Sequence, residues 1–273
     1  MRNFPGLLIL LLFTSCYPEW RLARSYVKSE QEVSILLLPT HYVFKTNLKT
    51  FEISGRNQMS REELDAVLID KSLFLKDISD SIFLEHFINN MILEFENLGF
   101  RVYSGNLLDS FLLKGSPAII LHIAQIELEE HYVVHEDEEQ FGDFIYYKNF
   151  DLNAITCNFW FELSVLNDQQ EPPQILFSAE TITDQLTGYF TENLFTGKVN
   201  YRYLLSELNL DIIYRYARIL GERYAGYTFD HLMNRYISIH KPPGKRPLYY
   251  MHYRRWNNTI SPTTEDRFIL LEE

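Results

Sequence analysis

Between residues 153 and 163 the chain reads Asn-Ala-Ile-Thr-Cys-Asn-Phe-Trp-Phe-Glu-Leu. Ile155, Cys157, Phe159, Phe161 and Leu163 fall on one set of alternate positions; Ala154, Thr156, Asn158, Trp160 and Glu162 fall on the other. A period of two sends successive side chains to opposite faces of a pleated strand, so this segment fits a half-buried strand and no helix. A sheet containing such a strand needs a second layer over its apolar face. That requirement constrains every other element. Cys157, on the apolar face, is expected to behave as a small buried hydrophobe with an inert thiol.

The covering layer is legible elsewhere in the chain. Leu84, Phe87, Ile88, Met91, Ile92, Phe95 and Leu98 recur at helical spacing and form one apolar stripe. Asp80 or Ser81 is expected to cap this helix and Gly99 to end it in a left-handed turn. A second long helix is expected over residues 211–237, with Ile213, Tyr216, Leu220 and Tyr224 on one side. There Ala217, Gly221 and Ala225 recur every fourth residue, a stripe small enough for another helix to approach closely. Residues 33–38 form an apolar run stopped by Pro39, which fits a buried first strand. A short helix is expected near residues 61–68, a short strand at 100–103 and a short helix at 106–113. Two more strands are expected at 118–130 and, after Glu171-Pro172-Pro173, at 174–183. This order predicts an α/β (α+β) fold: a mixed sheet with an antiparallel three-strand meander and helices packed mainly on one face.

The first sixteen residues belong to a different logic. Arg2 supplies a positive start, residues 4–13 an apolar run, and Thr14 and Ser15 small residues before Cys16. About ten apolar residues fit a secretory signal and fall short of the roughly twenty that cross a bilayer. The cysteine makes the segment resemble the lipobox of bacterial lipoproteins, although Phe13 stands where Leu is commoner. The resemblance implies acylation of Cys16, which ties the protein to the outer membrane; two or more acyl chains hold a protein there where one does not. The expected organisation is a signal peptide at 1–15, a tether at 16–31, a single α/β domain at 32–240 and a basic, aromatic tail at 241–273. With Cys16 acylated, Cys157 has no partner for an intrachain disulfide. A formal net charge of −12 disfavours nucleic acid as a partner.

The element order carries a second resemblance. A first strand ending in Leu38-Pro39, a helix closed by Leu98-Gly99-Phe100 and a Gly115-Ser116-Pro117-Ala118-Ile119-Ile120-Leu121-His122 entry to a long strand resemble the small α/β domain of envelope lipoproteins. Examples are the TolB N-terminal domain, CsgG, peptidoglycan-synthase activators and ABC-transport auxiliary lipoproteins. The resemblance implies a non-catalytic adaptor or assembly component with envelope protein partners and no cofactor. Two alternatives stand beside it. A lipid- or glycan-binding carrier requires an enclosed apolar pocket between sheet and helices. A secreted hydrolase requires clustered carboxylates or a histidine-centred site in a cleft. The chain contains no Gly-x-Ser-x-Gly elbow, phosphate-binding glycine loop, His-Glu-x-x-His helix or Cys-x-x-Cys pair.

Two surface segments attract attention. His131 and His135 on an extended chain would stand about 13 Å apart, too far to share one metal ion. With the acids between Glu127 and Asp143 they read as a solvated, acidic hairpin tip. From His231 through Thr264 there is no Asp or Glu, while Lys241, Lys245, Arg246, Arg254 and Arg255 alternate with Tyr249, Tyr250, Tyr253 and Trp256. Guanidiniums beside aromatic rings suit anionic polymers, lipid headgroups or an acidic partner surface. From Lys245 to Trp256 these residues are the candidate binding site, with no catalytic or metal-binding residue assigned. The alternative is that the tail folds back against the acidic 127–143 region, anchored by Phe268, Ile269, Leu270 and Leu271.

Overall fold

The computed structural model describes residues 18–29, 33–51, 59–113, 118–166, 172–241 and 249–271. Its fold is α/β, built on one mixed sheet. Strand β1 (Ser34–Leu38) lies between β3 (Arg101–Ser104) and β4 (Ala118–Phe141), parallel to both. β2 (Phe44–Asn47) continues along the same side of β4, also parallel. β5 (Phe144–Val165) and β6 (Gln174–Thr183) follow antiparallel as the expected meander, and β11 (Ile269–Leu271) closes the outer edge against β6.

Helices α3 (Asp80–Asn97) and α5 (Leu210–His240) cover one face. The apolar stripe of α3 and the alternating face of β5 meet as expected: Phe87 stacks on Phe159 at 4.8 Å, and Phe159 lies 4.5 Å from the Tyr224 ring of α5. Phe83, Phe87, Phe159, Phe161 and Tyr224 are all fully buried. Aromatic side chains therefore fill the space between sheet and helices. Cys157 is a free thiol in this layer, and burial pushes its pKa far above the ordinary value. The α4 helix (Leu108–Leu112) packs on the opposite face through Phe111, against Leu36, Tyr103 and Ala118.

Gly221 sets the spacing of the helical layer. A Cβ built on it would lie 2.1 Å from the carbonyl oxygen of Phe87 and 3.0 Å from the amide nitrogen of Met91. The small-residue stripe thus brings the two helix backbones into contact. Gly226 does not break α5, which runs on to His240. At the start of α3 neither expected cap forms. Ser79 occupies the cap position, but its hydroxyl meets that of Ser81 at 3.0 Å and caps no backbone N–H, and Asp80 instead accepts from the Val43 N–H at 3.1 Å and pairs with Lys45 at 2.7 Å. Gly99 ends α3 at φ +90°, as expected. Helix α2 (Arg61–Asp70) opens with a capping box formed by Ser60 and Glu63 and has no buried residue.

Three features depart from the sequence reading. The segment read as a tether folds over Pro18–Lys28 as α1, docked on α5 through buried Ala23 and a buried ion pair between Glu19 and Lys241. Strands β4 and β5 do not stop at residues 130 and 153. Their pairing continues to Phe141 opposite Phe144, giving a hairpin that extends roughly 35 Å past the main sheet at about 3.3 Å per residue. A second hairpin, β7 (Gln185–Glu192) with β8 (Val199–Ser206), has no counterpart in the sequence reading. It packs on the first: Tyr146 faces Phe190 at 6.4 Å, and Phe150 meets Tyr201 and Tyr203 at 5.7 and 4.9 Å.

The C-terminal residues return to the domain. β9 (Tyr250–Arg254) pairs with β10 (Thr259–Thr263) as a hairpin against α5, and Phe268 is buried ahead of β11.

Candidate functional site

The eight tail residues and Cys16 can be placed only in part. Cys16, Lys245 and Arg246 lie outside the described residues. The remaining six divide between two concavities. Tyr249 and Tyr250 line a groove of about 690 Å³ at the end of α5, with Pro172, Pro173, Ile239 and Leu271. Tyr253, Arg254, Arg255 and Trp256 line a cleft of about 620 Å³ between the middle of α5 and the β9–β10 hairpin. The structure does not assemble them into one site.

Local hydrogen bonding explains this division. One turn of α5 acts as a partner strand for β9. The Asn234 side chain donates to the Met251 carbonyl at 3.1 Å and accepts from the Met251 N–H at 2.7 Å, and Asp230 accepts from the Tyr253 N–H at 2.8 Å. In the cleft, the Arg255 guanidinium donates two hydrogen bonds to Glu94, at 2.9 and 2.8 Å. Arg223 pairs with Glu180 at 2.7 Å, and Arg267 lies 5.1 Å from the Tyr227 ring. Bidentate guanidinium–carboxylate pairs fix geometry as well as charge. The described tail residues therefore fold back onto the domain, as one of the two sequence readings had it, but their contacts are with Glu94 and α5 and not with the acidic 127–143 region. Trp256, 80% exposed, and Arg254 form the outward tip of the hairpin.

Burial beneath β9 raises the Asp230 pKa to about 7, a push that the Tyr253 N–H and Arg267 oppose and Asp266 reinforces. A folded-state pKa above the unfolded value contributes stability at low pH that is lost as pH rises through 7. Asp230→Asn keeps the acceptor for Tyr253 and removes the charge. It is expected to melt higher than the parent at pH 8, by up to about 4 kcal/mol, with the gap closing at pH 4. Thermal unfolding at both pH values checks this; a pH-independent difference would contradict it.

His131 and His135 lie on one face of extended β4, as expected. His135 approaches Asp137 at 3.2 Å, and among the described residues no group of three His, Cys, Asp or Glu side chains could hold a metal ion.

The sequence reading missed two polar and aromatic constellations, both belonging to the hairpins. At their base, the Glu130 carboxylate is fully buried and accepts from the Lys49 ammonium at 2.8 Å and from the Leu73 and Phe74 N–H groups at 2.8 and 2.9 Å. Burial works against the charged form, but these donors outweigh it and lower the Glu130 pKa. Lys49 also donates to Asn153 at 2.8 Å. The Asn153 side chain and N–H both donate to Asp184 at 2.8 Å, and Asp184 takes the Leu208 N–H at 2.7 Å. One connected network thus joins both hairpins to the start of α5.

Beyond this base the two hairpins form a two-layered arm. Its inner layer holds Phe150, Tyr146, Phe190, Tyr201 and Tyr203, and the Tyr201 hydroxyl donates to Asp137 across the layers. Gly188 leaves the space that the Tyr201 ring fills, since a Cβ there would overlap the phenol. At the outer end, Phe195 is fully exposed, Leu194 89% and Phe144 70% exposed. The signal for the arm lay in Tyr201 and Tyr203 at alternate positions and in the adjacent pair Tyr189–Phe190, too short a pattern to stand out from the polar and glycine residues around them.

Among the described residues the arrangement offers exposed aromatic and apolar contact surface at the arm tip and at the β9–β10 hairpin. No helix of the described residues is long and apolar enough to cross a membrane. Compared with known proteins, the chain matches no family model and no curated sequence.

Proposed function

We propose that this chain is a membrane-anchored, non-catalytic envelope lipoprotein that serves as an adaptor or assembly component, held to the outer membrane by acylated Cys16 and engaging protein partners through its arm. The observation that carries the reading is the arm itself. It is braced internally by aromatic rings packed against one another and anchored at its base by a buried hydrogen-bonded network, yet it ends in exposed Leu194, Phe195 and Phe144. Exposed apolar side chains at the end of a projection mark interaction surfaces. The exposed Arg254–Trp256 tip is a second contact of the kind expected from sequence.

The carrier alternative receives less support, because aromatic side chains occupy the interlayer space where its pocket would lie. A photocrosslinking amino acid at Phe195 in the native host provides the test. The expected result is a reproducible covalent adduct with an envelope protein, lost when the same group is placed at exposed Leu113 on the α4 side. Equal labelling from both positions, or none from Phe195, would remove the arm from the reading. Loss of membrane fractionation in Cys16→Ala tests the anchor separately.

A further inference from the structure

The long helix α5 gives the domain a direction. It starts at the base of the arm, where Asp184 holds the Leu208 N–H. It then runs antiparallel to β6: Tyr216 donates to the Thr181 carbonyl at 3.4 Å, Arg223 pairs with Glu180, and His231 meets Gln174 at 2.9 Å. Gln174 begins β6, so the rest of α5, to His240, passes beyond the end of the sheet. The whole helix spans about 46 Å at 1.5 Å per residue. The arm continues from the other end of β4 and β5. Arm and α5 terminus therefore occupy opposite poles of the domain.

Helix α1 fixes which pole lies beside the N-terminus. Glu19 at its first turn pairs with Lys241, just past the end of α5. Tyr26 at its other end packs 5.4 Å from both Phe229 and Tyr236. The helix is thus docked along its length and antiparallel to α5. Cys16 precedes Pro18 by two residues, a reach of about 7 Å at most. A chain acylated at Cys16 has no slack to turn the domain over.

The same pole presents surface suited to a lipid interface. The groove beside the α5 terminus is bordered by Pro172, Pro173, Ile239, Tyr250, Leu270 and Leu271. Ile239 is 64% exposed and Leu270 53%. Asp266, the carboxylate among the groove's lining residues, faces His231 at 3.9 Å. Tyrosines with one apolar and one polar end favour the headgroup layer, and aliphatic side chains bury into its boundary with the acyl chains.

We propose that this pole rests on the lipid leaflet that holds Cys16, so that the arm projects away from that membrane surface and reaches a partner outside it. The proposal rests on the reading that Cys16 is acylated, and the experiment separates the two. Native acylated protein carrying either Ile239→Cys or Phe195→Cys is labelled with an environment-sensitive fluorophore; Cys157 is buried and stays unlabelled. Each is reconstituted into vesicles of phosphatidylethanolamine and phosphatidylglycerol and quenched with iodide. The label at position 239 is expected to lose accessibility by about threefold or more on vesicle binding, as for a side chain at the headgroup boundary, with position 195 unchanged. Flotation with the vesicles but no protection at 239, or protection at 195, overturns the orientation and leaves the anchor standing. Failure to float removes the acylation reading and the orientation with it.

Discussion

Replacing Gly221 by alanine is expected to destabilise the protein by about 3 kcal/mol or more, through a single methyl group. The added carbon would lie 2.1 Å from the Phe87 carbonyl oxygen and 3.1 Å from the Phe87 carbonyl carbon. Both are backbone atoms of α3, so no rotamer change relieves the overlap. The helices must move apart, and the Phe87 contacts with Phe159 and Tyr224 loosen with them. Gly226 is the internal control. It lies in the same helix with nothing within 4 Å of a built Cβ, so Gly226→Ala is expected to stabilise by up to about 1 kcal/mol through helix propensity alone. Urea unfolding of the two variants should therefore move the midpoint in opposite directions. Equal midpoints would show that the helix contact at Gly221 is not what the packing implies.

Removing the Glu130 carboxylate is the second large effect. Glu130→Ala strips a buried partner from Lys49, whose side chain is 3% exposed, and leaves the Leu73 and Phe74 N–H groups without their acceptor. Breaking a buried pair by deleting one member costs about 3–5 kcal/mol, mostly from the uncompensated charge that remains. A second substitution, Lys49→Met, is expected to recover a substantial part of that loss, because the stranded ammonium goes with it. The pH behaviour has a definite sign. The folded-state pKa of Glu130 is lowered, so its contribution is present above the unfolded carboxylate pKa and disappears as pH falls through the folded value. A Glu130→Ala protein whose acid unfolding profile parallels that of the parent would remove the network from the stability of the arm. Loss of arm order without global unfolding, read by hydrogen exchange at residues 131–153, would locate the effect at the hairpin base.

How much of this was readable in advance depends on whether local pattern or distant contact decides an element. The α3 stripe from Leu84 to Leu98 and the β5 alternation from Ile155 to Leu163 each present a face that only one kind of secondary structure can bury. Ala217, Gly221 and Ala225 pointed to a close helix approach, and the approach occurs at Gly221. A hairpin tip was expected between Glu127 and Asp143, but the length of the paired distal halves of β4 and β5 was missed because Glu136, Asp137, Glu138 and Glu139 carry no apolar alternation. Those residues are extended because the chain folds back on itself at Gly142, whose φ is +61°, and because β7–β8 covers one face. Helix α1 was missed for a related reason. Its short polar sequence is stabilised through Ala23, Tyr26 and the Glu19–Lys241 pair, whose partners lie more than two hundred residues away.

The candidate site divides along the same line. Composition identified Tyr249, Tyr250, Tyr253, Arg254, Arg255 and Trp256 as an unusual basic and aromatic set. It could not show that Arg255 is committed to Glu94, or that Asn234 and Asp230 hold β9 so that the set splits between two concavities. Nor could it show that Glu130, one acid among many in its stretch, is the buried one.

By itself the sequence determined the α/β class, the three-strand meander, the two long covering helices and the fully buried thiol of Cys157. Periodicity suffices there, because a face that must leave water selects the backbone geometry that can hide it. Tertiary structure alone decided the length and layering of the arm, the docking of α1 and the place to which the C-terminal residues return, against α5 and the sheet edge. Each depends on polar or small residues stabilised by partners remote in the chain, and no local pattern encodes which remote group will be near.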